Sequence, residues 1–237
     1  MTQAPVAPAP AAPGPSAPAP AALAPAALAP TMAGWPELVE AVTRCTVCAE
    51  LAAGRTRVVP GVYPPGADVL LIGEAPGAQE DLSGVPFVGK AGHVLDTLLA
   101  AAGLPRERIA VANVLKCRPP GNRKPKRAEM AACTPWLDRQ LEVIDPVLVV
   151  TLGGTAAEWA LGAGTKIASA RTAIHPFRGR SLLVTYHPSA AVRFGPNGAP
   201  MRALREDLTT AARLAERLRG ERLRAGRTRA GRTRAGR

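Results

Sequence analysis

The chain has 237 residues and a formal net charge of +12 at pH 7, with 30 Lys and Arg against 18 Asp and Glu. This length allows one domain of moderate size with a substantial apolar core. No apolar run is long enough to span a bilayer, and the N-terminus lacks the basic start and unbroken apolar stretch of a secretory signal. We therefore expect a cytoplasmic, nucleoid-associated protein without a membrane partner, because excess positive charge favours nucleic acid.

Both ends of the chain differ in composition from the region between them. Residues 1–34 are almost entirely Ala and Pro, without a charged side chain, and such a Pro-dense stretch cannot form a packed helix or sheet. Residues 220–237 contain seven Arg and one Glu, a net +6 that is half of the charge of the whole chain. We predict a disordered extension over 1–34, a folded domain over 35–219 and a disordered basic tail over 220–237. The tail suits phosphate neutralisation, although a solvated tail without a specific role fits the composition equally.

Four apolar runs in the domain predict buried β-strands. They cover residues 69–72, 109–116, 147–152 and 181–186. Helical spacing begins near residue 36 and recurs over 93–99, 128–144, 153–161 and 201–219, with Pro135 as a potential kink in the third of these helices. Strands that alternate with helices in this way predict an α/β fold, in which a mainly parallel sheet is covered by helices on both faces.

The connection after the first strand is unusually rich in polar and turn residues. Residues 73–92 contain three acids, Glu74, Glu80 and Asp81, among several glycines and prolines. A simple connection between a strand and a helix needs only a few residues. Ligands of open α/β sheets bind at the carboxyl ends of the strands, so we expect a functional site here. Residues 84–91 approach a nucleotide-triphosphate loop, but Ala91 replaces the Ser or Thr that coordinates Mg²⁺, which argues against ATP or GTP hydrolysis.

The four cysteines predict a metal centre. They are Cys45, Cys48, Cys117 and Cys133. Disulfides are not expected in the cytoplasm, so a Cys-x-x-Cys pair with two distant thiols points to metal ligation. Four thiolates can hold tetrahedral zinc or an iron–sulfur cubane, and spacing alone does not choose between them. The alternative is four unrelated buried thiols. Because such ligands would join the amino-terminal helix to the middle of the chain, we expect a structural rather than a chemical role.

Two further polar residues occur at strand ends. Asn113 lies among apolar residues of the second strand, where a buried amide either supports a loop or reads a ligand. His187 follows the fourth strand, whereas His93 begins a helix and His175 lies in a polar connection. The loop over 118–127 carries five cations among its prolines, and we expect it to contact phosphate.

These motifs together resemble the family 4 uracil-DNA glycosylases, the iron–sulfur branch of that superfamily. They comprise residues 73–77 (GEAPG) with Glu80 and Asp81, residues 86–92 (PFVGKAG), Asn113 ahead of residues 116–120 (KCRPP), and residues 187–189 (HPS). The match runs from about Cys45 to about Arg219. The resemblance implies a three-layer α/β/α sandwich with a central four-stranded, mainly parallel sheet. It also implies a [4Fe–4S] cluster on the four cysteines, in preference to zinc.

The resemblance assigns a role to individual residues. Phe87 would stack on an extruded uracil, Asn113 would read its edge, and His187 would donate to O2. The loop with Glu74, Glu80 and Asp81 would hold the attacking water, and the three acids share this assignment. The remaining expected substrate contacts are Ala75, Gly77 and Ser189. No His occurs in the loop over 118–127, which argues against the covalent trapping of uracil seen in a related branch.

We therefore expect a DNA-repair enzyme that hydrolyses the N-glycosidic bond of deoxyuridine and leaves an abasic site for downstream base excision repair enzymes. Its partner would be uracil-containing DNA, and we expect a monomer. The competing hypothesis is a non-catalytic DNA-binding module that contains an iron–sulfur cluster or zinc. Both hypotheses predict metal and DNA binding, so only base release separates them.

Overall fold

The computed structural model describes residues 34–235, and within its last helix the side chains are described as far as residue 226. The predicted Ala/Pro-rich extension over 1–34 lies outside the described residues except for Gly34. The extension therefore stays a prediction.

The centre of the fold is a five-stranded sheet in the order β2-β1-β3-β5-β4. Its strands are β1 (Val69–Gly73), β2 (Ile109–Asn113), β3 (Leu148–Leu152), β4 (Ile174–Phe177) and β5 (Arg180–Thr185). The first three strands, β1 to β3, are buried along their whole length, as their continuous apolar runs predict. The neighbouring pairs β1–β2, β1–β3 and β3–β5 are all parallel, which confirms the predicted mainly parallel sheet.

The sheet has five strands rather than the four predicted. The additional strand β4 pairs antiparallel with β5 across a two-residue turn, in which Arg178 and Gly179 have φ of +48° and +76°. Positive φ at both central positions is typical of a tight hairpin. Only Phe177 of this edge strand is buried, and Pro176 interrupts it. Without an apolar run, the strand looks like a polar connection in the sequence, which is why it was missed.

Nine α-helices surround the sheet over the described part of the chain. They are α1 (Trp35–Thr43), α2 (Ala49–Gly54), α3 (Ala78–Ser83), α4 (Lys90–Ala101), α5 (Arg127–Ile144), α6 (Gly154–Leu161), α7 (Ile167–Ala170), α8 (Pro188–Phe194) and α9 (Ala199–Ala235). Helix α5 contains Pro135 within its bounds. Over residues 34–235, no helix combines the length and the apolar character that a membrane crossing requires.

The apolar core lies on both sides of the sheet, which confirms the three-layer arrangement. Alternate residues of β1 point to opposite faces, so Leu71 packs with Leu95 of α4 and Leu208 of α9. On the other face, Leu70 belongs to a cluster that includes Leu137 of α5 and residues of α6 and α7. A third cluster packs α1 and α2 against α5 around the cysteines. The sheet is therefore packed on both faces, and the carboxyl ends of its parallel strands lie at one edge.

The last helix crosses the predicted boundary between the domain and the basic tail. Arg219 donates from Nε and Nη2 to the carboxylate of Asp68 at 2.5 and 2.6 Å. Three residues later, Arg222 Nη1 donates to the carbonyl oxygen of Asp145 at 2.7 Å. Helix α9 thus remains in contact with the domain beyond residue 219, and the disorder predicted for the tail stays a prediction.

Candidate active site

A cleft of about 270 Å³ opens at the carboxyl ends of the parallel strands. Three of these strands bring residues to its lining, because β1 leads into Glu74, β2 ends at Asn113 and β5 leads into His187. The fourth, β3, leads into α6, whose Thr155 contacts Glu74. Eight of the nine predicted catalytic and substrate-binding residues line the cleft. These are Glu74, Ala75, Gly77, Glu80, Phe87, Asn113, His187 and Ser189. The ninth, Asp81, does not.

Asn113 presents a buried carboxamide at the floor of the cleft. Its side chain is 2% exposed, and Oδ1 has no hydrogen-bond partner among residues 34–235. Gly73 lies opposite in the sheet register, and a Cβ there would stand 2.4 Å from Oδ1 and 2.5 Å from Phe87 Cζ. Only glycine therefore leaves room for both groups. A buried acceptor without a partner costs free energy, so this oxygen favours a ligand that brings a donor.

The backbone of Asn113 is held by a buried lysine that the sequence analysis did not single out. Lys116 Nζ donates to Asn113 O and to Gln140 Oε1, both at 2.6 Å, and Gln140 in turn donates to Pro60 O. Burial lowers the pKa of Lys116 to about 8. The signal available in the sequence was a cation inside an apolar run, since residues 109–115 are otherwise almost entirely apolar.

Phe87 stands at the side of the cleft in a constrained conformation. Its φ is +56°, which is uncommon for a residue other than glycine, and its ring is buried. A Cβ at Gly92 would lie 1.9 Å from Phe87 O, so the following helix can approach this turn only through a glycine. The ring centroids of Phe87 and His187 are 5.7 Å apart. Phe87 is thus placed to cover one face of a planar ligand.

Glu80 supports the turn that carries Phe87. Its Oε1 accepts from the backbone N–H groups of Val88 and Gly89, both at 2.9 Å, and Oε2 accepts from Gly77 N at 3.1 Å. Both carboxylate oxygens are therefore engaged by the backbone of the loop. Although Glu80 lines the cleft, its contacts indicate a positioning role for the loop rather than a carboxylate available to hold water.

Glu74 is the acid whose contacts leave it available to a ligand. It is partly exposed in the cleft, and its Oε2 accepts from Thr155 Oγ1 at the start of α6. Thr155 is 1% exposed. Sequence reasoning missed this threonine, although its position directly after a buried strand was a usable signal. The hydroxyl holds one carboxylate oxygen in place.

Asp81 lies beneath the loop instead of in the cleft. Its side chain is 3% exposed, and both oxygens accept from Thr56 N at 3.0 Å. Oδ1 also accepts from Arg57 N at 3.3 Å. The carboxylate therefore binds the backbone of the segment that follows α2.

His187 has one ring nitrogen engaged within the protein. Ser189 N donates to Nδ1 at 3.1 Å, and Ser189 Oγ lies 2.7 Å from the same atom. Because a backbone N–H can only donate, Nδ1 is the acceptor and the neutral ring carries its proton on Nε2. Burial lowers the pKa of His187 to about 4, against the opposing effect of Glu80. The imidazole is thus neutral at physiological pH.

Acidic neighbours neutralise much of the predicted basic loop. Arg123 donates to both oxygens of Glu129, at 2.6 and 3.0 Å, and to Glu50 at 3.1 Å. Lys126 also pairs with Glu50, and Lys124 lies 3.7 Å from Glu158. The pKa of Glu129 is lowered mainly by its bond to Arg123. The loop is therefore held to α2 and α5 by ion pairs, and fewer of its cations face a polyanion than its sequence suggests.

The four cysteines converge on one apolar pocket between α1, α2 and α5, and none of them forms a disulfide. Burial raises the pKa of the Cys48, Cys117 and Cys133 thiols, that of Cys133 to about 12. Among the described residues, no group of three or more His, Cys, Asp or Glu side chains is placed to hold a single metal ion. In a cubane cluster each of the four iron atoms binds one thiolate, so the four sulfur atoms need not surround a single metal ion. The donor set therefore fits a four-iron cluster.

Residues 60–209 match the family model described as the uracil DNA glycosylase superfamily. The chain is 38% identical to a Type-4 uracil-DNA glycosylase from Sulfurisphaera tokodaii, over 76% of this chain and 84% of that protein. A Type-4 uracil-DNA glycosylase from Thermotoga maritima is 39% identical over 73% and 90%. One from Archaeoglobus fulgidus is 45% identical over 54% and 64%. The family model covers every residue that lines the cleft, whereas Cys45 and Cys48 precede it.

Proposed function

This chain belongs to the family 4 branch of the uracil DNA glycosylase superfamily, and from that premise we propose that it flips uracil out of DNA and hydrolyses its N-glycosidic bond. The products are free uracil and an abasic site, the first intermediate of base excision repair. The observation that carries the proposal is the buried Oδ1 of Asn113, which lacks a donor among residues 34–235 and faces the same cleft as Phe87 and His187.

Asn113 selects uracil through both ends of its carboxamide. Uracil offers an N3–H donor and an O4 acceptor, so Oδ1 accepts from N3 and Nδ2 donates to O4. Cytosine reverses both groups and would leave them buried and unpaired. Selection requires that the amide keep its orientation, and the bonds from Lys116 to Asn113 O and Gln140 fix the backbone from which this side chain extends. Extrusion of the nucleotide costs a few kcal/mol, which stacking on Phe87 offsets in part.

His187 stabilises the departing base. Cleavage of the glycosidic bond leaves negative charge on uracil, and a neutral imidazole with its proton on Nε2 can donate to O2 without losing a proton to solvent. The contact between Nδ1 and Ser189 N supports this tautomer. The low pKa of the imidazolium means that His187 stabilises the anion by hydrogen bonding and not by a full positive charge.

Glu74 is the acid that we assign to the water and the sugar. The three acids of the loop shared this role in the sequence analysis, but Glu80 is engaged by three backbone N–H groups and Asp81 lies outside the cleft. A carboxylate beside the sugar favours the oxocarbenium character of the transition state and orients the attacking water. The hydroxyl of Thr155 holds Glu74 in place for this task.

We further propose a [4Fe–4S] cluster, rather than zinc, on Cys45, Cys48, Cys117 and Cys133. The support is the set of four thiols in one apolar pocket, together with the resemblance to the iron–sulfur family. Glycosidic hydrolysis needs no electron transfer, so the cluster would supply only structural stability. It would tie α1 and α2 to the loop after β2 and to α5, and so support the side of the cleft formed by Pro119, Asn122 and Arg123.

The proposed catalytic unit spans residues 35–219 and acts as a cytoplasmic, nucleoid-associated monomer. One chain supplies every cleft residue discussed above, which supports action without a second subunit. The reaction leaves an intact backbone at an abasic site, so the product requires an enzyme that incises such sites. We also propose that residues 1–34 form a disordered extension and that residues 220–237 form a basic tail outside this catalytic unit.

Base release tests the proposal directly. The purified protein is incubated with a uracil-containing oligonucleotide and with a cytosine control, and abasic sites are then cleaved with alkali. We expect cleavage only at uracil, and we expect Asn113→Asp to reduce it strongly while the folded protein still binds DNA. A protein that binds the oligonucleotide but releases no uracil from single- or double-stranded DNA is instead the non-catalytic module.

A further inference from the structure

One arginine connects two of the segments that carry the cysteines. Arg55 lies directly after α2, and its Nη1 donates to Cys117 Sγ at 3.0 Å. Its Nη2 donates to the carbonyl oxygen of Cys45 at 2.6 Å. The planar guanidinium presents its donors in a fixed fork, so a single side chain fixes the loop after β2 relative to the end of α1.

Asp81 fixes the backbone on which Arg55 stands. Its carboxylate accepts from the N–H groups of Thr56 and Arg57, the two residues that follow Arg55. Asp81 also follows Glu80, which holds the turn that carries Phe87. Helix α3 therefore contacts the turn of Phe87 through Glu80, and it contacts the segment that carries Arg55 through Asp81.

Such an arginine has a physical consequence for a sulfur-ligated cluster. Hydrogen bonds to the sulfurs and nearby charge set the reduction potential of iron–sulfur clusters, and groups that orient the ligands contribute to metal retention. Four thiolates concentrate negative charge in an apolar pocket, and the positive charge of Arg55 offsets part of it. The exposed Arg57 lies two residues away, and its backbone rather than its side chain bonds to Asp81.

We propose that Arg55 is a positioning residue for the cluster, that it holds Cys117 by a charged N–H···S hydrogen bond, and that Asp81 aligns it for this contact. The inference rests on the proposed [4Fe–4S] cofactor. It gives Asp81, which stands outside the cleft, a role in joining the cluster to the catalytic loop.

The test compares Arg55→Gln and Arg55→Lys with Arg57→Gln, which removes the same charge from the same segment. Iron and acid-labile sulfide are measured in each purified protein, and cluster loss is followed by visible absorbance during incubation with an iron chelator. We expect Arg55→Gln to lose its cluster about 10-fold faster than wild type or more, and Arg57→Gln to match wild type. Arg55→Lys keeps the charge without the fork and should lie between them.

A redox titration followed by electron paramagnetic resonance supplies a readout that general destabilisation would not produce. Loss of the hydrogen bond and the positive charge should shift the reduction potential of Arg55→Gln to more negative values, with a smaller shift for Arg55→Lys. If Arg55→Gln does not fold, Arg55→Lys decides the comparison alone. Asp81→Asn retains one acceptor and should accelerate cluster loss less than Arg55→Gln does.

The role of Arg55 is overturned if Arg55→Gln and Arg57→Gln lose the cluster at equal rates and have equal reduction potentials. Where Arg55→Gln does not fold, the same comparison is made with Arg55→Lys. A wild-type rate in Asp81→Asn overturns the role of Asp81. A wild-type protein with zinc or without iron overturns the cofactor and this inference together. Uracil release is measured separately on the wild-type protein, so failure of the inference is distinguishable from failure of the proposed glycosylase function.

Discussion

Replacement of Thr155 by Val isolates the contribution of one hydroxyl to catalysis. Val keeps the branched shape of the side chain and removes the hydroxyl that donates a hydrogen bond to Glu74 Oε2. Glu74 stays in the cleft, partly exposed, so water can replace the lost donor and folding should change by about 1 kcal/mol or less. The carboxylate, however, becomes free to rotate away from the position in which it orients the attacking water.

The size of the effect follows from the type of bond. A hydrogen bond to a charged group contributes about 1.5–3 kcal/mol, and each 1.36 kcal/mol of barrier is a factor of ten. If the contact matters in the transition state, Thr155→Val should slow the chemical step by about 10- to 150-fold. Uracil recognition uses Asn113 and Phe87, so the affinity for uracil-containing DNA should be almost unchanged.

Thr151 offers a matched control on β3, the strand that leads into Thr155. It is also fully buried, but its Oγ1 has no hydrogen-bond partner within the described part of the chain. Thr151→Val therefore removes a hydroxyl of the same kind without removing a contact, and activity should be retained. Single-turnover uracil release, DNA binding and thermal denaturation are measured on both variants. A Thr155→Val rate within twofold of wild type, or an equal loss in Thr151→Val, would refute the role given to Thr155 and Glu74.

Three further predictions use other parts of the structure. Gly73→Ala places a Cβ 2.4 Å from Asn113 Oδ1 and should lower the rate of uracil release about 100-fold. Gly154→Ala is the control, because its Cβ meets nothing within 4 Å and the rate should not change. Similar rates in the two variants would contradict the close packing at the cleft floor. NMR titration should give His187 a pKa of about 4 with the proton on Nε2, so uracil release should lose no activity through this residue until the pH approaches 4. Because the same histidine binds a proton near pH 6.5 in the unfolded chain, His187 should lower the stability of the folded protein as the pH falls from 6.5 to about 4. A measured pKa near 6.5 would exclude the assigned environment. Removal of residues 227–237, which contain five Arg, should reduce the salt dependence of DNA binding by up to about 0.9 per arginine engaged without changing base choice, and an unchanged slope would show that these residues do not contact DNA.

The residues that could be read from the sequence share one property, which is that their signal is local. A buried parallel strand is a continuous apolar run, so β1 and β3 were predicted to within one residue of their observed bounds. The second strand was predicted over 109–116, but β2 ends at Asn113. Polar residues directly after such strands were therefore expected at one edge of the sheet, and Asn113 and His187 lie there together. The edge strand β4 was missed because it carries one buried residue and a proline instead of an apolar run.

The roles of the charged residues depended on partners that are distant in the chain. Glu74, Glu80 and Asp81 are near neighbours in sequence, yet one contacts Thr155, one holds the turn of Phe87, and one binds the backbone after α2. Similarly, Arg123 is neutralised by Glu129 and by Glu50, which lies 73 positions away. No spacing rule predicts these contacts, because they arise only when separate helices pack against the sheet.

The sequence by itself determined the layered α/β fold, the edge of the sheet where the site forms, and the four thiols that indicate a metal centre, since periodicity and residue type are sufficient for each. Only the tertiary structure decided that Glu74 is the available acid, that His187 carries its proton on Nε2, and that Arg55, Lys116 and Thr155 support the groups around them. Hydrogen bonds to buried groups depend on distances of about 3 Å between segments far apart in the chain, and folding alone sets those distances.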